Sequence, residues 1–187
     1  GGIFFNKNDF KKSYNYYKKA YEVGNDDVLT ITNLGYVSLR QSNFEEAEKY
    51  LDKSIEMDEN IVDPVLYKSQ LLHLNGKYLE SNSLIDNYLN LVPNDKRISY
   101  SADNLDMLQA VKALNFYRLE NKFAAITSIM EVNHESTKIS DYSKFINAFI
   151  LKLMFNEVDE SMELYNSIKE PIECWEFDCK YLEEFQK

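Results

Sequence analysis

Apolar residues recur along this chain at three- and four-residue steps, the spacing of one face of an α-helix. The recurrence is itself repeated. Phe10, Phe44 and Tyr78 stand 34 residues apart, and three residues after each comes a small side chain, Ser13, Ala47 or Ser81. Tyr17, Leu51 and Ile85 follow one turn later, and then Ala20, Ser54 and Tyr88. A 34-residue period held at four positions through three copies marks stacked pairs of helices joined by tight turns. One such pair cannot bury its apolar face alone, so neighbouring pairs must supply the core.

The period places the elements. The second helix of the first repeat runs from Asp9 to Val23 and stops at Gly24-Asn25-Asp26. In the second repeat Val28–Gln41 pairs with Phe44–Met57, with Ser42-Asn43 as the turn and Glu45-Glu46 suiting a helix N-terminus. Asp63-Pro64 open the third, and Asn75-Gly76 turn it into Tyr78–Leu91. Beyond Pro93 the period fails. Its next aromatic falls on Lys112, whereas the matching residue is taken as Phe123, 11 residues late. The added residues are expected to lengthen a first helix running from Ser101, as N-cap, to Glu120. A fifth, degenerate copy pairs Tyr142–Asn156 with Val158–Ile168. The reading is thus one domain over 1–187, with repeats at 1–24, 28–59, 62–93, 101–134 and 140–168, then a helix over 170–187. That last helix carries an apolar stripe of Ile172, Trp175, Cys179 and Leu182, which suits a cap or a homodimer surface. Carried backward, the register puts Gly1 where Gly35 stands, inside a first helix. The chain is therefore expected to be a fragment of a longer protein.

The second copy, NLGYVSLRQSNFEEAEKYLDKSIEMDE, resembles the tetratricopeptide repeat (TPR) through Leu34-Gly35, Phe44, Ala47, Leu51 and Ser54. The third ends in Val92-Pro93-Asn94, where that family carries proline. The resemblance implies an all-α, right-handed solenoid of about five TPR-like repeats closed by a C-terminal capping helix.

Composition narrows the function classes. Only 5 Gly and 3 Pro among 187 residues suit helices better than a turn-rich β fold. The net charge of −10 argues against nucleic acid, because a phosphate backbone is held by clustered Lys and Arg. No apolar run reaches the ~20 residues that cross a bilayer, so no membrane partner is expected. Cys174 and Cys179, on a helix, would stand about 8 Å apart on different faces, too far to bridge. Unbridged thiols suit a reducing, cytoplasmic setting. His73 and His134 have no metal-ligand pattern beside them, and no phosphate-cradling loop or nucleophile elbow is present, so neither enzyme nor cofactor is expected.

Binding is what the resemblance implies. Its groove positions fall two before, one after and five after the residue equivalent to Gly35. They select Asn33, Tyr36 and Arg40 in the second repeat, then Tyr67, Gln70 and His73 or Leu74 in the third. In the fourth they select Lys112, Asn115 and Leu119, with Arg118 beside them, and in the fifth Asn147, Ile150 and Met154; Leu66 and Ile146 face the same side. The amides of Asn33, Gln70, Asn115 and Asn147 would form a row able to pair both the donors and the acceptors of a peptide backbone. On that expectation Asn115→Ala or Asn147→Ala weakens binding without lowering stability. The clamp by which family members hold acidic chaperone tails is excluded, since Asp63, Tyr67 and Gly2 stand at its basic and amide positions. A peptide- or protein-binding module is the leading reading. The sensing domain of a Gram-positive peptide-responsive transcriptional regulator, and a scaffold gripping a folded partner, are its alternatives.

Overall fold

The computed structural model describes residues 9–100, 104–135, 141–156 and 158–168. Among them lie nine α-helices: α1 (Phe10–Glu22), α2 (Val28–Arg40), α3 (Phe44–Met57), α4 (Val62–Leu74), α5 (Tyr78–Leu91), α6 (Asn104–Arg118), α7 (Lys122–Glu135), α8 (Asp141–Ile150) and α9 (Val158–Asn166). Each packs on the next, and α2, α4, α6 and α8 also pack side by side as an inner row. The chain is an all-α helical-repeat solenoid. The segment 170–187, and with it the expected cap and both cysteines, lies outside the described residues, as do Gly1 and Gly2.

Turn chemistry explains the regular part. At the ends of α2, α4 and α6 an amide reaches back five residues, from Asn43 to the Ser38 carbonyl, from Lys77 to Leu72 and from Asn121 to Phe116, each at 2.9 Å. This closure needs one left-handed residue, supplied by Ser42 (φ 58°), Gly76 (φ 73°) and Glu120 (φ 56°). Only glycine takes that conformation without a steric cost.

These turns correct the register. From Gly76 to Glu120 is 44 residues, so Lys122, not Phe123, is the counterpart of Tyr78, and the insertion is 10 residues rather than 11. Phe123 is 82% exposed, whereas Ala125, three residues after Lys122, is fully buried like Ala47 and Ser81. A repeated ion pair agrees. Lys68 on α4 meets Asp52 on α3, and 44 residues on Lys112 on α6 meets Asp86 on α5 at 2.7 Å.

Most of the insertion does not lengthen a helix. Val92-Pro93 leaves the helical conformation, as residues before proline do, and Asn94–Lys96 form a single 3₁₀ turn. Arg97 to Tyr100 then run extended beside the start of α4: the Ile98 amide donates to the Asn60 carbonyl at 2.9 Å, and the Val62 amide to the Ile98 carbonyl at 2.8 Å. The buried Asp63 carboxylate accepts from the Tyr100 amide at 3.0 Å and from the Asn104 side chain at 2.7 Å. Burial raises its pKa, and those hydrogen bonds oppose the shift. The expected N-cap Ser101 lies outside the described residues. At its other end α6 stops at Arg118, two residues short of the expected Glu120, which is the left-handed turn residue.

Small side chains set the crossing of each helix pair. A Cβ built on Gly35 would stand 2.6 Å from Leu51 Cδ2 and 2.7 Å from its Cγ. At the same place stand Ser69, Ala113 and Ala148, all fully buried. Ala148 follows from a matched bond: Ser81 Oγ donates to the Ser69 carbonyl at 2.9 Å and Ser161 Oγ to the Ala148 carbonyl at 2.8 Å. The step is one residue longer in the last pair because α8 ends in a π-helical turn, Leu151–Phe155.

Across the outer helices, Glu46 on α3 accepts from Tyr14 at 2.8 Å and from Lys18 at 3.1 Å, both on α1, and Lys18 also donates to Tyr50 at 2.6 Å. Burial by itself raises the Glu46 pKa, but the Tyr14 and Lys18 hydrogen bonds outweigh it and hold it below the usual glutamate value. Burial and the Glu46 hydrogen bond push Tyr14 up to about 12, so it remains a donor.

Gly35→Ala should lower stability by about 1–3 kcal/mol through overpacking, despite a helix-propensity gain near ~1 kcal/mol. Thermal denaturation of Gly35→Ala in wild-type and Leu51→Ala backgrounds checks it; the cost should shrink when Leu51 is truncated. Because the folded pKa of Glu46 is depressed, its contribution is present above its unfolded value, near pH 4.5, and is lost as pH falls through the folded one. Melting curves of Glu46→Gln and wild type should therefore differ by up to about 1 kcal/mol near neutral pH and converge in strong acid.

Candidate functional site

The inner helices, packed side by side, carry the row of positions that the sequence assigns to the groove. In the corrected register, the positions two before and one after the small crossing residue are Asn33 and Tyr36, Tyr67 and Gln70, Val111 and Leu114, then Ile146 and Phe149. A one-residue slip turns a helix by about 100°, so Lys112, Asn115, Asn147 and Ile150 leave the groove face on which they were expected.

The structure shows where each goes. Lys112 points to α5 and ties down Asp86. Asn115 is fully buried at the core position that Leu71 holds one repeat earlier. There its carbonyl oxygen stands 2.6 Å from His73 Nδ1, and its amino group donates to Ser81 Oγ at 2.9 Å and to Asn82 Oδ1 at 2.8 Å. Since the Asn115 oxygen can only accept, His73 carries its proton on Nδ1. Asn115 thus joins α4, α5 and α6, and its hydrogen bonds are used within the fold. Asn147 and Ile150 are likewise buried. Arg118 stacks beside Tyr117 at the end of α6, where a cleft of about 420 Å³ opens towards Leu153 and Met154.

From the second and third repeats the structure brings Tyr36, Arg40 and Tyr67 together, whereas His73 turns into the core against Asn115. Tyr36 and Tyr67 face each other with ring centroids 4.5 Å apart. Arg40 donates to the Tyr36 hydroxyl at 2.5 Å, and its guanidinium lies 4.4 Å from the Phe10 ring centroid. Asn33, Tyr36, Arg40 and Tyr67 are half-buried, leaving part of each open to the groove. Gln70 lies one turn beyond Tyr67; it is 3% exposed, and its Oε1 has no hydrogen-bond partner. Burial, with the Asp63 charge nearby, holds the Tyr67 hydroxyl far above its usual pKa, so it is a neutral donor at any ordinary pH. Phe10, on the outer helix α1, escapes the sequence reading because it reaches this group from another helix, through Arg40 and edge-on to the Tyr36 ring at 6.2 Å.

The third and fourth inner helices close the row off. Val111, Leu114, Ile146 and Phe149 are all fully buried. The groove is therefore polar and aromatic over α2 and α4, and apolar and shut over α6 and α8. Among the described residues no group of His, Cys, Asp and Glu could hold a metal ion, and no helix is long and apolar enough to cross a membrane.

Residues 30–61 match the family model of the tetratricopeptide repeat. The solenoid is a TPR fold. A tetratricopeptide repeat protein from Parabacteroides merdae superposes with a TM-score of 0.74 at 18% identity, over 100% of this chain and 68% of the other. A thermophilic TPR protein from Thermus thermophilus gives 0.76 at 12% identity, over 100% and 96%. At such identities the likeness shows the fold. No curated protein matches the chain in sequence.

Asn115→Ala should lower stability by about 1–3 kcal/mol or more, because it strands His73, Ser81 and Asn82 in the core. Urea denaturation checks this, and Asn33→Ala, on the half-buried groove face, should stay within about 0.5 kcal/mol of wild type.

Proposed function

We propose that this TPR domain binds an extended segment of a partner protein or peptide, without catalysis, and holds it over α2 and α4. The observation that carries the reading is Gln70. A buried amide oxygen left unpaired costs about 1–3 kcal/mol, and this one lies in the inner row beside the half-open Tyr36–Tyr67 pair. A backbone N–H from an extended chain would satisfy it while the tyrosine rings cover the ligand's side chains. Tyr and Arg are the residue types on which interface energy concentrates, and both stand here with part of their surface free of the core. The repeat fold, which presents a long concave surface for recognition, supports a role in binding rather than chemistry.

Of the two alternatives, a peptide-sensing domain of a transcriptional regulator uses the same groove and so shares this support. A scaffold gripping a folded partner would use the outer helices or the terminal segment 170–187.

Selection of a random peptide library on the 187-residue chain tests the proposal. Selected peptides should lose about tenfold or more in affinity with Tyr36→Ala or Gln70→Leu, a loss of at least about 1.4 kcal/mol, while circular dichroism shows the variants folded. Peptides insensitive to both changes, yet weakened by substitutions on the outer face of α3 or α5, would transfer the site to the convex side. Failure to select any saturable binder would remove the peptide reading.

A further inference from the structure

A second polar cleft lies outside the groove, where the insertion enters the fourth repeat. It encloses about 380 Å³ and is lined by α5 (Asp86, Asn90), the connector (Arg97), α6 (Gln109, Lys112) and α7 (Glu131). The preceding repeat junction shows what is unusual here. Gln109 is the counterpart of Val65, which is 2% exposed and belongs to the core. At a position that packs as Ile31 and Val65 in the two preceding repeats, this chain carries an amide whose Oε1 is buried and has no hydrogen-bond partner.

The charges lining the cleft are unequally engaged. Arg97 donates through Nε to the Val92 carbonyl at 3.0 Å and through its terminal nitrogen to the Leu89 carbonyl at 2.8 Å, so it is bonded to the C-terminal end of α5. Lys112 is held by Asp86 at 2.7 Å. Both cations are occupied by groups of this chain. Glu131, in contrast, stands exposed on α7. Beyond those bonds the cleft offers a buried amide oxygen, the Glu131 carboxylate and the Asn90 amide, which accepts as well as donates. With both cations held by groups of the chain, these acceptors favour a ligand rich in N–H donors, and the protein's net charge of −10 favours the approach of a cation.

The geometry points to a binding site for a guanidinium group in this cleft. A planar guanidinium presents five donors, enough to engage a carboxylate edge and an amide oxygen together, whereas an ammonium is a compact point charge with three. The group comes either from a small guanidino compound or from an arginine side chain of a partner protein. The site is independent of the groove over α2 and α4.

The test is NMR titration of the 187-residue chain, following the side-chain amide signals of Gln109 and Asn90. The probes are methylguanidinium and N-acetyl-arginine amide, with tetramethylammonium as a cation that has no N–H donor, all at matched ionic strength. Saturable shifts with both guanidinium probes and none with tetramethylammonium are expected. Tighter binding of the arginine derivative assigns the site to a protein side chain, and equal binding assigns it to a free guanidino compound. Glu131→Gln should weaken the probes about tenfold, the loss expected for one charge-assisted hydrogen bond. Gln109→Leu should abolish the shift at Asn90 and raise the melting temperature, since it restores an apolar residue at the core position. Shifts of equal size with tetramethylammonium, or none that saturate, overturn the proposal, as does a Gln109→Leu protein that binds normally.

Discussion

The close crossing of each helix pair is the constraint on which the rest of this solenoid depends. At Gly35 the inner helix runs so near α3 that a single Cβ would collide with Leu51. Later pairs keep the crossing with Ser69, Ala113 and Ala148, and the two serines of the outer helices, Ser81 and Ser161, bond directly to the inner-helix backbone there. Because every inner helix is pinned at one residue, the direction of every other side chain on it follows. A residue two positions after the pin is in the core, and a residue one position after it faces the groove.

That geometry turns one extra residue into a change of role. Asn115 and Gln70 are both amides on inner helices. Gln70 stands one after its pin and joins the groove row, whereas Asn115 stands two after and becomes the hub of a buried network reaching His73, Ser81 and Asn82. A buried polar group is tolerated where all its hydrogen bonds are made, and Asn115 meets that condition in full. The oxygens of Gln70, Gln109 and the core residue Asn147 have no such partner; Gln70 and Gln109 differ from Asn147 in standing beside the half-open tyrosine pair and the cleft at Arg97.

The insertion before α6 works on the same principle of satisfied backbone. Once proline ends α5, the connector finds hydrogen-bond partners in the backbone of Asn60 and Val62 and in the Asp63 carboxylate, and it runs beside α4 instead of extending a helix. In doing so it brings Arg97 onto the end of α5 and shapes the cleft at Gln109. The irregular repeat thereby gains a polar recess that the regular junction fills with Val65.

Taken alone, the sequence determined the all-α repeat architecture, the helices from α1 to α5 and the tight turns between them, because a 34-residue period of apolar and small residues is met by one way of stacking. It also led to the expectation that Asn33, Tyr36, Arg40, Tyr67 and Gln70 share a face, and because the period is intact there Tyr36, Arg40 and Tyr67 do meet. Past Pro93 the period lapses, and aromatic Phe123 presents itself where Lys122 belongs. The true register is marked by left-handed backbone at Glu120 and by fully buried Ala113 and Ala148, which are properties of three-dimensional packing and not of residue type. Only the tertiary structure could decide which amides enter the core and which line the groove, because a turn of about 100° in the helix leaves no trace in composition or in hydrophobic spacing.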